Sequence, residues 1–407
     1  MRFRATLPGM DCPLDRRATL RRFANPALAC AAILLAGYLR TAEGTKHPSP
    51  WGYRLWSFGA LAYSDILALH EDRGAARHPI PYLEDKIEYP VLLGLTMWLP
   101  SVLAPSRGGY FALTYLLLAI SALATLWFVA GLPRTQPWVW AASPALLVYG
   151  ALNWDLVAIL PFVAGLWLWA AGRERTAVGV LSLAVWTKLF PVLALGVLLL
   201  VSLRGPRRRT LELLGIFAAV TLAVNLPFAL LGWPRWTWFF EYNSIREIEP
   251  SLYLLFGADP RRSVGAANAI GAVAVLGGAA ALAIVELRTR RLDALRAVSA
   301  LMCLSFLANK VYSPQYWLWV IALIALAPVP GWLAGAASVL SLTDYAISFS
   351  RLHLQADRVW AQAAWFDHAV FWPMVGLRYG ALAGCAVCAF THLVRKPDAP
   401  DPSAIRA

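Results

Sequence analysis

Charge is what this sequence has least of. Only 14% of its 407 residues are Asp, Glu, Lys or Arg, where soluble domains carry about a quarter. With 59% hydrophobic residues and 19 Trp, that shortage excludes an ordinary soluble enzyme. Cysteine is scarce too. Cys12, Cys30, Cys303, Cys385 and Cys388 give no extracytoplasmic disulfide framework, because none falls in a segment read as outside. Cys385 and Cys388, in "CAVC", sit inside an apolar run and read as small residues that let helices approach, in preference to a redox or metal pair. There is no G-x-G-x-x-G, no Walker A and no ATPase domain, which excludes a nucleotide-driven pump. A nucleotide-sugar enzyme of the cytoplasmic type would need a soluble domain that is not here. His47, His70 and His78 show no H-E-x-x-H or comparable ligand spacing. The pattern therefore calls for no metal and no other cofactor, and it does not bar a divalent ion.

What the sequence has is apolar length. A membrane span takes about 20 mainly apolar residues, and 109–130, 210–231 and 264–286 each meet that. The reading is an all-α polytopic membrane protein with spans near 26–39, 109–130, 138–152, 155–171, 176–187, 190–203, 210–231, 264–286, 295–308, 314–327, 331–349 and 367–392. A basic tail, 1–25, precedes the transmembrane domain at 26–393, and a second tail, 394–407, follows it. No A-x-A-like site follows 26–39, so that segment reads as a first span, not a removed signal.

Orientation turns on "YPVLLGLTMWLP" (89–100), which is apolar but short and bounded by Pro90 and Pro100. Counted as a span, it would turn the clusters "RGPRRRT" and "RTRRLDALR" outward. Read as an interfacial helix, it leaves them inside, as the excess of Lys and Arg on cytoplasmic segments requires. Both termini are then cytoplasmic, and the net charge of +13 reflects orientation and attraction to anionic lipid, with no nucleic-acid partner needed. The longest outer loops are 40–108 and 232–263. The turns "NWD", "TKLFP" and "NKVYSPQY" fall on the same side. Short helices meeting at polar turns require their irregular backbone to be buried in protein or to line a wet cavity. Together these segments predict one outward cavity at the membrane surface.

Several residues there carry chemistry. "LAYSDILALHEDRG" reads as a short helix capped by Ser64, with Asp65, Leu69 and Asp72 on one face and Ile66 and Leu67 suited to resting on the bilayer. Asp65 is placed to act as general base for an acceptor hydroxyl; the structural alternative is a helix cap paired with an arginine. Glu84, Asp85 and Glu88 around Lys86 read as a solvated face. Asp155 and Lys188 lie between spans, where charge is expensive; they read either as a pair joining two hairpins or as substrate ligands. "NSIREIEPS" supplies Asn243, Ser244 and Arg246, donors suited to phosphate, and "ANKVYSPQYW" adds Asn309, Lys310, Tyr312 and Gln315. Lys310 reads as a cation facing a donor phosphate or, alternatively, as a partner of Asp155. Trp233, Trp236 and Trp238 read as an interfacial belt.

The run "NWDLVAILPFVAGLWLWAAGRERTAVGVLSLAVWTKLFPVLALGVLLL", with "NKVYSPQYWLW" and "YSD…EYPVL", resembles the polyprenol-phosphate-sugar-dependent glycosyltransferases of the GT-C superfamily, and within it glycosyltransferase family 87. The resemblance covers residues 26–390. It implies a GT-C fold of about 12 transmembrane helices, with short interfacial helices in a long first outer loop. It also implies a polyprenyl-monophosphate sugar donor and a lipid or glycan acceptor outside the cytoplasmic membrane, with mannose as the sugar transferred. Asp65 alone occupies the place of the carboxylate that takes the acceptor's proton, while Lys188, Arg246 and Lys310 would counter the departing phosphate. Members often carry paired acids in this loop; "SDI" holds a lone one, with "ED" pairs at 71–72 and 84–85. The rival readings are a transporter or flippase of lipid-linked sugars and an inactive scaffold. Against the transporter stand the lack of a repeat between halves and the concentration of acids in one loop.

Overall fold

The structure is a computed structural model that describes residues 15–47 and 49–394. Cys12, the first fourteen residues of the amino-terminal tail and residues 395–407 of the second tail lie outside the described residues. The described chain is helical, with isolated bridges and no strand.

The helices follow in chain order. The first long loop, 40–108, lies among α1 (Arg16–Ala42), α2 (Pro50–Gly59), α3 (Asp65–Asp72), α4 (Val91–Leu103) and α5 (Arg107–Gly131). Next come α6 (Pro137–Ala141), α7 (Pro144–Tyr149), α8 (Asp155–Ala170), α9 (Glu174–Thr187), α10 (Pro191–Ser202) and α11 (Arg207–Leu231). The second long loop, 232–263, carries α12 (Trp233–Trp236), α13 (Trp238–Ile245) and α14 (Leu252–Leu255). The chain closes with α15 (Val264–Thr289), α16 (Ala294–Ala308), α17 (Tyr316–Leu326), α18 (Gly331–Ala356), α19 (Trp360–Phe366) and α20 (Trp372–Thr391), the last two joined by a π-helical turn.

Five helical segments are long and apolar enough to cross a membrane: Arg16–Lys46, Arg107–Gly131, Arg207–Leu231, Val264–Thr289 and Ala361–Thr391. The chain is thus an all-α, multi-pass membrane protein. α4, α8, α10, α16 and α17 are apolar but shorter. The burial pattern separates two populations. On α11 and α15 most side chains face outward, with Leu230, Leu231, Val273 and Leu276 more than two-thirds exposed, as lipid-facing surfaces must be. On α17 every one of the 11 residues is buried, so this helix is enclosed by protein.

Three expectations shift. The first helix begins at Arg16, not near residue 26, because Asp15 accepts hydrogen bonds from the backbone N–H groups of Arg17 (2.9 Å) and Ala18 (3.2 Å) and starts the turn early. The segment expected as one span at 138–152 is two short helices. The chain stops at Ala141 and restarts at Pro144, where Ser143 caps the new helix through the N–H of Ala145. Finally, α3 does not rest on a bilayer: Ile66 and Leu67 are fully buried in the protein core beside Tyr53, Tyr110 and Phe111.

α8 and α9 form the tightest pair. They turn through Gly172, whose positive φ of 73° is open to glycine at low cost. Gly165 lets them close up, since a Cβ there would lie 2.5 Å from Leu181. This hairpin sets the site, because its open end carries Asp155 and Lys188.

Candidate functional site

Asp65 is the first residue of α3 and Asp155 the first of α8, while Lys188 caps the carboxyl end of α9. Each charge therefore sits at the helix end whose dipole favours it. The chain fixes α3 against the "NWD" turn through backbone-directed bonds. The N–H of Asp65 donates to the carbonyl of Leu152 (2.8 Å), and the Ser64 hydroxyl to that of Ala151 (2.5 Å). Ser64 also caps α3 through the N–H of Ile66 (3.2 Å).

Asn153 then joins the two loops. Its amide donates to Asp65 Oδ2 (2.9 Å) and to the Tyr89 hydroxyl (3.2 Å), while its own oxygen accepts the N–H of Trp154 (2.6 Å). The Tyr63 hydroxyl lies near the Asp65 carboxyl and favours its ionised form. Burial pushes the Asp65 carboxyl above the ordinary aspartate range; Asn153, Tyr63 and the charge of Lys188 pull the other way.

Among the described residues Asp65 forms no ion pair, and this distinguishes it from its neighbours. Arg54 holds Asp72, Arg73 holds both Asp85 and Glu88, Arg107 stands 3.6 Å from Glu71, and Lys46 stands 2.8 Å from Glu43. Glu84 takes the N–H of Ile80 (2.8 Å). The "ED" pairs are thus occupied in bracing the loop, and among the described residues Asp65 has no arginine partner of the kind predicted.

Behind Asp65 lies a buried pair. Asp155 is fully buried, and its Oδ1 accepts from Lys188 Nζ (2.7 Å) and from the indole of Trp319 (2.6 Å). Lys188 Nζ also stands 5.9 Å from the Tyr89 ring centroid. The alternative in which Lys310 pairs with Asp155 is therefore corrected: Lys188 has that place. Tyr89 lies within electrostatic reach of Asp65, Asp155 and Arg246.

The remaining candidates divide. Lys310 is 6% exposed and, among the described residues, has no carboxylate partner; its ammonium donates to the carbonyl of Ser244 (3.1 Å). Burial, and then the charge of Arg246, hold it below the ordinary lysine range. Arg246 is paired with Glu249 (2.7 Å from Nε). The backbone stitches the 232–263 loop to the turn, as Glu249 N–H donates to the Lys310 carbonyl (3.1 Å). Asn243 donates to the carbonyl of Phe239 (2.7 Å) and Ser244 to that of Glu241 (2.7 Å), so both are already engaged within α13. Asn309 accepts the N–H of Val311 (3.1 Å), shaping the turn. Gln315 stands at the N-cap position of α17 without a side-chain capping bond and is 7% exposed.

Tyr312 does not face these groups. It is 1% exposed, under Arg378, whose guanidinium carbon stands 4.5 Å from the ring centroid. Arg378 lies 3.4 Å from Asp344, which accepts the indole N–H of Trp317 (2.8 Å). Trp317 and Trp319 thus serve two buried carboxylates, each with its own cation.

Asn153, Tyr63, Tyr89 and Trp319 escaped the sequence reading as site residues. Asn153 and Tyr89 stood in "NWD" and "EYPVL", where a polar side chain beside an apolar run was the available signal. Trp319 carried none, because an indole in an apolar helix reads as core. Among the described residues no group of three His, Cys, Asp or Glu side chains converges as a metal site would require. No protein-family model matches the chain, and neither a curated protein nor a solved structure matches it.

Proposed function

We propose that this chain is an integral-membrane glycosyltransferase of GT-C type, transferring a sugar, with mannose the first to test, from a polyprenyl monophosphate to a lipid or glycan acceptor. The observation that carries the reading is Asp65: in a loop whose other acids are held by cations or backbone, this carboxylate is oriented by an amide, beside a phenol, and among the described residues has no ion-pair partner. A general base needs that arrangement, since an ion-paired carboxylate is a poorer proton acceptor.

In the proposed reaction the acceptor oxygen attacks the anomeric carbon as its proton passes to Asp65. The bond from that carbon to the phosphate oxygen breaks, and the phosphate leaves with the electron pair, inverting the anomeric centre. Lys310, a cation opposite a neutral carbonyl, is the group best suited to meet the charge that develops on the phosphate. Arg246 adds to it in part, because Glu249 already balances its charge. Lys188 is balanced by Asp155 and serves the site by position. The proposed setting is the cytoplasmic membrane, with about 12 spans, both termini inside and this site outside.

The direct test is transfer by the purified full chain in lipid, given polyprenyl-phosphomannose and a membrane-lipid acceptor mixture. Release of polyprenyl phosphate with a new glycosylated product, lost in Asp65→Asn, supports the reading. Movement of the intact donor across a sealed vesicle without transfer would replace it by the transporter reading.

A further inference from the structure

Two oxygens share one amide at the Asp65 centre. The Asn153 nitrogen donates to Asp65 Oδ2 (2.9 Å) and to the Tyr89 hydroxyl (3.2 Å). Its oxygen takes the N–H of Trp154 (2.6 Å), and turning the amide over would set that oxygen against the carboxylate. The orientation is therefore fixed and both amide hydrogens are used. Tyr89 is thus an acceptor toward Asn153, and its own hydrogen must point elsewhere. Among the described residues no group takes that hydrogen.

The phenol is firmly held. Tyr89 precedes Pro90, which restricts its backbone to extended conformations, and its carbonyl accepts the Tyr82 hydroxyl (3.0 Å). Its ring stands edge-on to Trp154, 6.4 Å between centroids, with Lys188 Nζ 5.9 Å from its centre. Asn153 is buried, whereas Asp65 and Tyr89 are both partly exposed. Burial, and then the charge of Asp65, push the phenol above the ordinary tyrosine range, so it keeps its hydrogen.

The spacing fits a displacement. Two bonds of these lengths, diverging at the ~120° of an amide nitrogen, set the carboxylate and phenol oxygens about 5 Å apart. A nucleophile poised to attack stands about 3–3.5 Å from the carbon. The leaving oxygen lies one bond farther along the same line, so attacking and leaving oxygens are also about 5 Å apart. A base at one end and a hydrogen-bond donor at the other can meet both at once.

We propose that Tyr89 is a second catalytic residue of the transfer, donating a hydrogen bond to the phosphate oxygen that leaves the sugar while Asp65 takes the acceptor's proton. The role rests on the transferase reading and deepens it. The phenol keeps its proton throughout. The electron pair of the breaking carbon–oxygen bond goes to the phosphate, and the hydrogen bond strengthens as that charge grows. Arg246 lies within electrostatic reach of Tyr89, which adds a cation near the oxygen where negative charge develops.

The test is Tyr89→Phe in the purified full chain in lipid, with polyprenyl-phosphomannose, a membrane-lipid acceptor mixture and rates taken at equal folded protein. The ring and its contacts with Trp154 and Lys188 remain, and only the hydroxyl goes. The expected result is a fall of at least about tenfold in kcat and kcat/KM alike, with KM for the donor near the parent's, as for a bond made in the transition state. The acid limb of the pH profile should stay in place, whereas Asn153→Ala moves it up. A kcat within about twofold of the parent overturns the proposal. So does a loss accompanied by an acid limb moved up as in Asn153→Ala, which makes Tyr89 a positioning residue acting through the amide. A parent that transfers nothing removes the transferase reading and this role together. A parent whose transfer Asp65→Asn abolishes and Tyr89→Phe leaves intact removes this role alone.

Discussion

The indoles of Trp317 and Trp319 leave opposite faces of one helix and end on two different buried carboxylates, Asp344 at 2.8 Å and Asp155 at 2.6 Å. Two residues along an α-helix turn about 200°, so the spacing itself sends one indole toward α18 and the other toward α8. Each carboxylate is matched by a cation, Arg378 or Lys188. α17 is thereby fixed from both sides, and with it the Lys310 turn that leads into it.

Asp65→Asn should insert and fold normally and lose turnover by about 10²–10⁴-fold, the usual worth of general-base assistance. Asp72→Asn and Asp85→Asn, which remove carboxylates engaged by Arg54 and Arg73, should lose far less. Transfer rates for the three variants at equal folded protein decide it, and an Asp65→Asn rate within twofold of the parent removes Asp65 from the role.

The pH profile carries a sign. Burial raises the Asp65 carboxyl, so the base is unprotonated, and kcat/KM full, only above a value higher than an ordinary aspartate's. Asn153→Ala removes a bond that favours the carboxylate and should move the acid limb further up in pH. Folding favours the protonated form of such a group. Its contribution to stability is therefore present at acid pH and lost as pH rises through the raised value. An acid limb that moves down in Asn153→Ala would contradict the assignment.

Lys188→Met strands a fully buried Asp155 and should cost about 3–5 kcal/mol in unfolding free energy. Lys188→Met/Asp155→Leu should recover much of it. Lys310→Ala strands no carboxylate, so its melting temperature should stay near that of the parent while donor use falls. Asp155→Asn should offer Lys310→Ala no rescue. Thermal melts of this set, with donor binding alongside, separate a structural lysine from a substrate-facing one.

Reporter fusions should place Ser106 outside and Arg207 inside. Ser106 reporting inside would make α4 a span and would move the second outer loop and the Lys310 turn to the other face of the membrane from the Asp65 loop.

Much of this architecture was legible because apolar length is a strong signal. Helices expected at 109–130, 210–231, 264–286 and 295–308 lie at Arg107–Gly131, Arg207–Leu231, Val264–Thr289 and Ala294–Ala308. The break at Ser143–Pro144 was harder, since a proline can open a second helix as readily as bend one. Asp65, Asp155 and Lys188 were legible as costly charges near apolar runs. Their partners were not, because pairing depends on how the helices pack. Sequence distance gives no hint that Asn153 reaches Asp65 or that Trp319 reaches Asp155.

The enclosure of α17 has a consequence for depth. Its 11 residues rise about 17 Å, little more than half of a hydrocarbon core of about 30 Å. α11 and α15, with 25 and 26 residues, are long enough to traverse that core. The two ends of α17 therefore cannot both reach the membrane surfaces, and a polar turn left at membrane depth lies in a well whose walls are protein. A phosphate tethered to a membrane-embedded chain can reach such a well sideways, without being lifted into water, whereas a water-soluble phosphate must descend into it.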